Sequence, residues 1–378
     1  MEQIRVGIVG LGFVGKQHAE ALRRIPGVKI AAASDSDPDL GAWCEANRIP
    51  AFYTDYRKML EQEELDVIHD CAPNHMHMEI NRLALETGRH VYSEKPLTLT
   101  AEEAFALCEL ARKTGKRTAV NFSYRNHAMV QEMKERIREG RLGTLSHIQV
   151  EYLQDWLLYD TDFDWRVRKE LGGASRAVAD IGSHCFDTIQ YILGEPVTAV
   201  YAVLHRQYET RKFFRKKETF LSGDITGDCE EVPVENEDGA TILFRLKGGM
   251  TGSILVSQVC AGKKNGLKIL VSGNKESLEW EQENPDKLWI GRKDEENGIL
   301  FAGKQYLTAY AAPYAHLPGG HPSGWNDALV NGLRDFYQSV EDPGRERRYA
   351  DFGEGYFIMK LVEACLESSR QNGWVEIK

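Results

Sequence analysis

The chain has 378 residues, of which 42% are apolar and 28% charged, with a formal net charge of −10. Apolar content of this order excludes a disordered chain, and the length suits two packed units better than one core. The acidic balance speaks against a nucleic-acid partner, and no apolar run approaches the ~20 residues that cross a bilayer.

In chain order, residues 4–9 read as a buried strand and 14–25 as a helix with Val14, Ala21, Leu22 and Ile25 facing inward. Short apolar runs at 28–33, 66–69, 89–92 and 117–120 read as further strands, with helical stretches near 81–86 and 101–112. Thr100 and Glu103 have capping-box spacing for the last of these helices. Alternation at this rhythm predicts an α/β unit, a doubly wound parallel sheet, over residues 1–122. Beyond it, 129–138 reads as a helix, 145–153 as a strand, and 186–193 as a short helix stopped by Gly194. Strand patterns follow at 198–204, 240–246, 252–259, 267–271, 277–280 and 287–290, and helices at 325–341 and 354–371 close the chain. Residues 123–378 are therefore expected to form an α+β domain around a large, mostly antiparallel open sheet. The stretch 205–238 is charged and irregular, and its basic run from Arg211 to Lys217, flanked by acids, reads as a solvated face. Seven scattered cysteines without a Cys-x-x-Cys pair read as free thiols in a reducing compartment. With a strand pattern from Ile4 in place of a leader peptide, the expected location is the cytoplasm.

Gly10-x-Gly12-x-x-Gly15 follows the first strand and opens the first helix, the setting in which this spacing binds a dinucleotide. Gly10 permits the tight turn, Gly12 lets a pyrophosphate approach the backbone, and Gly15 lets helix and strand pack closely, with Phe13 and Val14 completing the loop. The first unit thus reads as a Rossmann domain. Asp35, at the end of the second strand, can accept from both ribose hydroxyls of NAD and would repel the 2′-phosphate of NADP, so NAD is favoured. Asp35, Asp37 or Asp39 could instead cap the next helix. Glu94-Lys95-Pro96 stands at the C-terminal end of a parallel strand, the edge where open α/β sheets bind ligands. Lys95 can there donate to a reacting oxygen, or simply precede a proline turn. Asp180 and His184, four apart at a helix start, can share a face. A histidine of near-neutral pKa can take a hydroxyl proton while hydride leaves the same carbon, whereas the plainer reading is a helix cap and a structural histidine. Cys71, His75 and His77 lack a fourth ligand, and no metal is expected.

In this order the motifs resemble the family of glucose–fructose oxidoreductase, inositol dehydrogenase and the rhizopine-catabolism oxidoreductases, over essentially the whole chain. The likeness includes Pro73-Asn74-x-x-His77, Tyr124-Arg125, and Asp164-Trp165-Arg166 before the double glycine at 172–173. The resemblance implies that Lys95 is the active-site lysine, that His184 is the general acid/base, and that Asp180 orients substrate hydroxyls. It places Pro73, Asn74, His77 and Glu94 along the cofactor, and Arg125, Trp165 and Arg166 near the nicotinamide or the substrate. It also implies a cis Lys95–Pro96 bond and a homodimer or homotetramer.

Tyr152, Gln154, Asp155 and Trp156 at a strand end, with His321 and Trp325 before the first closing helix, supply the aromatic faces and polar groups of a sugar or polyol pocket. The expected function is NAD-dependent oxidation of a secondary hydroxyl of a sugar, glycoside or cyclitol to a ketone. One alternative is a glycoside-processing enzyme that uses tightly bound NAD for transient oxidation and elimination. Another is a non-catalytic NAD(P)-binding sensor, against which the presence of Lys95, Asp180 and His184 together argues.

Overall fold

The computed structural model describes residues 3–214 and 229–377. The first unit is a six-stranded sheet of β1 (Ile4–Val9), β2 (Val28–Ser34), β3 (Ala51–Tyr53), β4 (Val67–Asp70), β5 (His90–Ser93) and β6 (Thr118–Val120). All pairs are parallel, in the order β3-β2-β1-β4-β5-β6. Five helices alternate with the strands: α1 (Phe13–Leu22), α2 (Leu40–Ala46), α3 (Tyr56–Gln62), α4 (Asn74–Glu86) and α5 (Ala101–Thr114). The central strands are buried on both faces, which is why they read as short apolar runs. Edge strand β3 is only half-buried and leaves no such pattern. Helix α1 ends at Leu22 rather than Ile25, because Ile25 N–H bonds back to Leu22 O in a tighter turn ahead of Pro26.

The second unit contains α6 (Ala128–Arg138), α7 (Lys169–Gly172) and α8 (Ser183–Leu193), with β7 (Leu145–Leu153), β8 (Val197–His205), β9 (Thr210–Phe213), β10 (Glu230–Pro233), β11 (Gly239–Leu246) and β12 (Thr251–Ser257). It continues through β13 (Gly266–Gly273), β14 (Ser277–Glu281), β15 (Lys287–Gly291), β16 (Gly298–Phe301), α9 (Trp325–Glu341), α10 (Phe352–Gln371) and β17 (Val375–Glu376). Nine strands form one sheet in the order β16-β15-β14-β13-β7-β12-β11-β8-β17. Only β7 and β12 run parallel in it, so the sheet is mixed and mostly antiparallel. Helices α6, α8 and α10 share a core with one face, and α10 also packs on α5 of the first unit.

Two sequence expectations need correction. Helix α9, grouped with residues 123–378, packs on the first sheet beside α1. Its Leu329, Leu333, Phe336 and Tyr337 share a core with Val6, Ile8, Leu22 and Val67. An amphipathic stripe shows which face turns inward but not which sheet receives it. Within the 205–238 excursion, β9 and β10 pair antiparallel, and Arg211 is fully buried rather than solvated. Its guanidinium donates to Asp238 Oδ1 (2.7 Å), Tyr159 O (2.7 Å) and Asp162 O (3.1 Å), since a buried charge requires partners. Arg215 to Lys217 of the basic run lie outside the described residues. Among the described residues no helix is long and apolar enough to cross a membrane.

Candidate active site

The C-terminal ends of β1, β2, β4 and β5 carry Gly10, Asp35, Pro73 and Lys95 along one sheet edge. Gly10 has φ +88°, and a Cβ there would lie 2.5 Å from Cys71 O; one on Gly15 would lie 1.9 Å from Gly10 O. Neither position admits a side chain. A Cβ on Gly12 would meet nothing within 4 Å, and no side chain caps α1. The first-turn amides of α1 therefore face open space, as pyrophosphate binding requires. Asp35 Oδ2 accepts from Leu11 N–H (2.7 Å) and Oδ1 from Asp37 N–H (3.0 Å), which pins the carboxylate against the glycine turn. Its remaining lone pairs suit two ribose hydroxyls. The residues present fit NAD.

The Lys95–Pro96 peptide is cis, as the resemblance implied. Lys95 Nζ donates to Asp180 Oδ1 at 2.6 Å and reaches Asp180 O at 3.3 Å. Asp180 sits in a π-helical turn, Val178–Gly182, that runs into α8, a feature frequent at functional sites. Glu237 anchors the start of that turn: its Oε1 accepts from Ser175 Oγ (2.6 Å), Arg176 N–H (3.0 Å) and Val178 N–H (2.9 Å). Asp180 Oδ2 accepts from Gln258 Nε2 (2.8 Å), and Arg166 Nε lies 3.7 Å from Oδ1. Burial alone would raise the Asp180 carboxyl, but Lys95 and Arg166 outweigh it and hold the group well below the usual carboxylate range. His184, one turn along the same helix, is buried against the edge of Tyr124 (4.7 Å between ring centres). Burial pushes its imidazole down to about 3, and the Lys95 ammonium acts in the same direction. The ring is therefore neutral near pH 7, and its buried Nδ1 has no hydrogen-bond partner. A cationic donor, a carboxylate and a neutral base thus lie close together.

Beside His184 lies a polar wall. The hydroxyls of Tyr124 and Tyr152 are 2.6 Å apart, and Tyr152 Oη donates to Asn265 Oδ1 at 2.5 Å. Gln154 Nε2 donates to the same oxygen (3.2 Å), and Trp156 Nε1 donates to Gln154 Oε1 (2.9 Å). Burial raises the Tyr124 phenol to about 12 and that of Tyr152 well above its ordinary value, so both remain O–H donors. Aromatic faces with alternating donors and acceptors suit a polyhydroxylated ring.

Residues 4–122 match the oxidoreductase family with an NAD-binding Rossmann fold, and residues 130–279 match the GFO/IDH/MocA C-terminal domain. The chain belongs to the Gfo/Idh/MocA family. Levoglucosan dehydrogenase of Pseudarthrobacter phenanthrenivorans is 28% identical to it over 100% of this chain and 99% of that protein. D-glucoside 3-dehydrogenase of Escherichia coli is 32% identical over 55% of this chain and 60% of its own. The structure of levoglucosan dehydrogenase with NADH and levoglucosan matches at a TM-score of 0.89 and 25% identity, covering 100% of both chains. An inositol dehydrogenase homologue from Azotobacter vinelandii with NAD+ matches at 0.85 and 27% identity, over 99% of this chain and 97% of that one.

In this Gfo/Idh/MocA member several expected site residues are held by other side chains and carbonyls. The Arg125 guanidinium is buried and shared between Asp187, which it grips with two nitrogens, and Glu354 (3.0 Å), so it clamps α8. His77 is fully buried between Ala72 O and Pro96 O, both 2.8 Å away, and supports the loop rather than lining a groove. Asp155 accepts from Gly262 N–H (3.0 Å) and Lys264 (2.7 Å). His321 is exposed, with Nδ1 3.2 Å from Pro318 O. Trp325 stacks on Phe13 of the glycine turn (6.4 Å, 27°). Asn74 Nδ2 donates to Gly172 O (3.3 Å), and Arg166 lies over the Trp165 ring (4.3 Å). Gln258 and Asn265 were missed: each is a lone amide at a strand end, and only tertiary pairing reveals its role.

Proposed function

We propose that this protein is an NAD-dependent dehydrogenase that oxidises a secondary hydroxyl of a sugar, glycoside or cyclitol to the ketone. The observation that carries the reading is the Lys95–Asp180 pair beside a neutral His184 with an unpartnered Nδ1, on the sheet edge that holds the open glycine turn. Residues 1–122 together with α9 form the cofactor unit, in which Gly10, Gly12, Phe13, Gly15 and Asp35 would hold NAD. When bound, NAD supplies the hydride acceptor. The Lys95 ammonium donates to the hydroxyl oxygen and offsets the negative charge that grows on it. The neutral His184 imidazole takes the hydroxyl proton. Asp180 fixes Lys95 and accepts from a neighbouring substrate hydroxyl. Tyr124, Tyr152, Gln154 and Asn265 read the remaining hydroxyls, and Trp156 offers its ring to the C–H face. The relatives that act on levoglucosan and on D-glucosides support this substrate class.

The test is NADH formation across inositols, free hexoses, glucosides and anhydrosugars, with NAD and NADP in parallel. A signal with NAD and one sugar class is expected. Release of a free aglycone without net NADH would replace this reading by transient oxidation.

We also infer a homo-oligomer. Val203 (54% exposed), Leu243 (46%) and Leu255 (43%) share the uncovered face of adjacent strands β8, β11 and β12. An apolar face of this kind is expected to be buried against a second copy. Light scattering should give a dimer or tetramer, and a clean monomer would refute it. All seven cysteines are free, which supports a reducing, cytoplasmic location.

A further inference from the structure

A buried chain of hydrogen-bonding groups reaches the active-site edge from the far side of the first sheet. Tyr337 Oη on α9 lies 2.8 Å from His69 Nε2 on β4. His69 Nδ1 lies 2.9 Å from His18 Nδ1 on α1, and His18 Nε2 lies 3.1 Å from Glu94 Oε1. All four side chains are buried. A second arm reaches the same oxygen: Tyr92 Oη donates to Asn121 Oδ1 (3.1 Å), and Asn121 Nδ2 donates to Glu94 Oε1 (2.5 Å). The other carboxylate oxygen, Oε2, accepts the main-chain N–H of Lys95 (3.3 Å).

The partners assign the tautomers. Burial alone would raise the Glu94 carboxyl, but His18, Lys95 and Asn121 bring it down to about 2, so Glu94 only accepts. His18 must then carry its hydrogen on Nε2. Among the described residues, the Tyr337 hydroxyl has no acceptor other than His69 Nε2, so that nitrogen is bare. Burial keeps His69 well below the ordinary histidine value, hence neutral, with its single hydrogen on Nδ1. That hydrogen needs a bare His18 Nδ1. One arrangement satisfies every group: Tyr337 O–H to His69 Nε2, His69 Nδ1–H to His18 Nδ1, and His18 Nε2–H to Glu94 Oε1. Each donor points toward Glu94.

We propose that His18 is a positioning residue for Lys95: the one-way chain Tyr337–His69–His18 holds the Glu94 carboxylate, and Glu94 holds the main chain at Lys95. His18 lies one turn beyond Gly15 on α1, so the lysine is tied to the helix that opens the cofactor site. The catalytic part of this inference rests on the function proposed for Lys95. In a dry interior such a chain strengthens each bond along it, and a break strands buried polar groups.

The test compares His18→Leu, which removes both ring nitrogens, with His18→Gln, whose amide still donates on one side and accepts on the other. His18→Leu should lower kcat on the order of 10-fold or more while leaving the KM for NAD within about twofold, and His18→Gln should restore most of kcat. Exchange of the Lys95 amide hydrogen should quicken in His18→Leu and not in His18→Gln. Nitrogen NMR of isotope-labelled wild-type histidines should show hydrogen on His18 Nε2 and on His69 Nδ1. Unchanged kcat and amide exchange in His18→Leu would overturn the proposal, as would equal losses in both variants or a different tautomer pattern. If the wild type oxidises no sugar at all, the dehydrogenase reading fails, while amide exchange and tautomers still decide the chain.

Discussion

Replacing Lys95 by methionine is expected to lower kcat by about 10²–10⁴-fold, with NAD binding nearly unchanged. Methionine keeps the length and most of the volume of the side chain and removes its charge. In the resting site the ammonium donates to Asp180 Oδ1 at 2.6 Å, so the lysine is already aimed and its rotamer is fixed before substrate arrives. Its loss does not leave the carboxylate stranded. Gln258 Nε2 still donates to Asp180 Oδ2 (2.8 Å), and Arg166 stands 3.7 Å from Oδ1. The variant should therefore fold and bind NAD. Alanine at His184 should cost a comparable factor, because proton removal and charge stabilisation act on the same oxygen. For the same reason the double variant should be little worse than the worse single one. The measurements are kcat and KM for each protein, with a fluorescence titration of NAD. A loss below about tenfold in Lys95→Met, or independent losses that multiply in the double variant, would remove the pair from the centre of the reaction.

The residues legible in the sequence share a property: their roles are set by the chain immediately around them. The glycines at 10, 12 and 15 are specified by a strand-to-helix turn, Asp35 by a strand end, and Lys95 by a strand end followed by proline. Side-chain direction was not legible where distant partners set it. Arg125 follows β6 as expected, yet Asp187 and Glu354 draw its guanidinium behind α8. Trp325 opens α9, but α9 itself packs on the first sheet and carries the indole to Phe13. His18 is the instructive miss. It lies four residues after Val14 and three before Ala21, on the inward face read from the pattern, where a polar side chain needs a buried partner. That signal announced a buried network; His69 and Tyr337, far apart in the chain, could supply it only once the fold brought them together.

The second large effect concerns stability and the placement of Asp180 together. Asp238 is fully buried and accepts from two buried arginines through Oδ1, Arg176 and Arg211 (2.7 Å), and from Gln207 N–H through Oδ2 (2.7 Å). Even with it in place, Arg176 Nε and Nη1 and Arg211 Nε have no partner. Alanine at 238 would leave two guanidiniums buried without this carboxylate, and breaking such a group by removing one member costs about 3–5 kcal/mol. For a protein of this size the melting temperature should fall on the order of 10 °C. Asp238→Asn, which keeps an acceptor and loses the charge, should lie between wild type and alanine. Glu86→Ala, which breaks the exposed Arg82–Glu86 pair on α4, should be nearly silent, because a solvated i,i+4 pair contributes little. Activity should fall too in Asp238→Ala, well below its melting point. Arg176 O accepts the Asp180 N–H (2.7 Å) just ahead of the turn, and Arg211 holds the Tyr159 and Asp162 carbonyls of the strap leading to Arg166. A cluster that served stability alone would lose melting temperature and keep kcat at low temperature. A cluster that also sets the Asp180 turn loses both, and the ratio of kcat/KM between Asp238→Asn and Asp238→Ala at a temperature where both are folded separates the two roles.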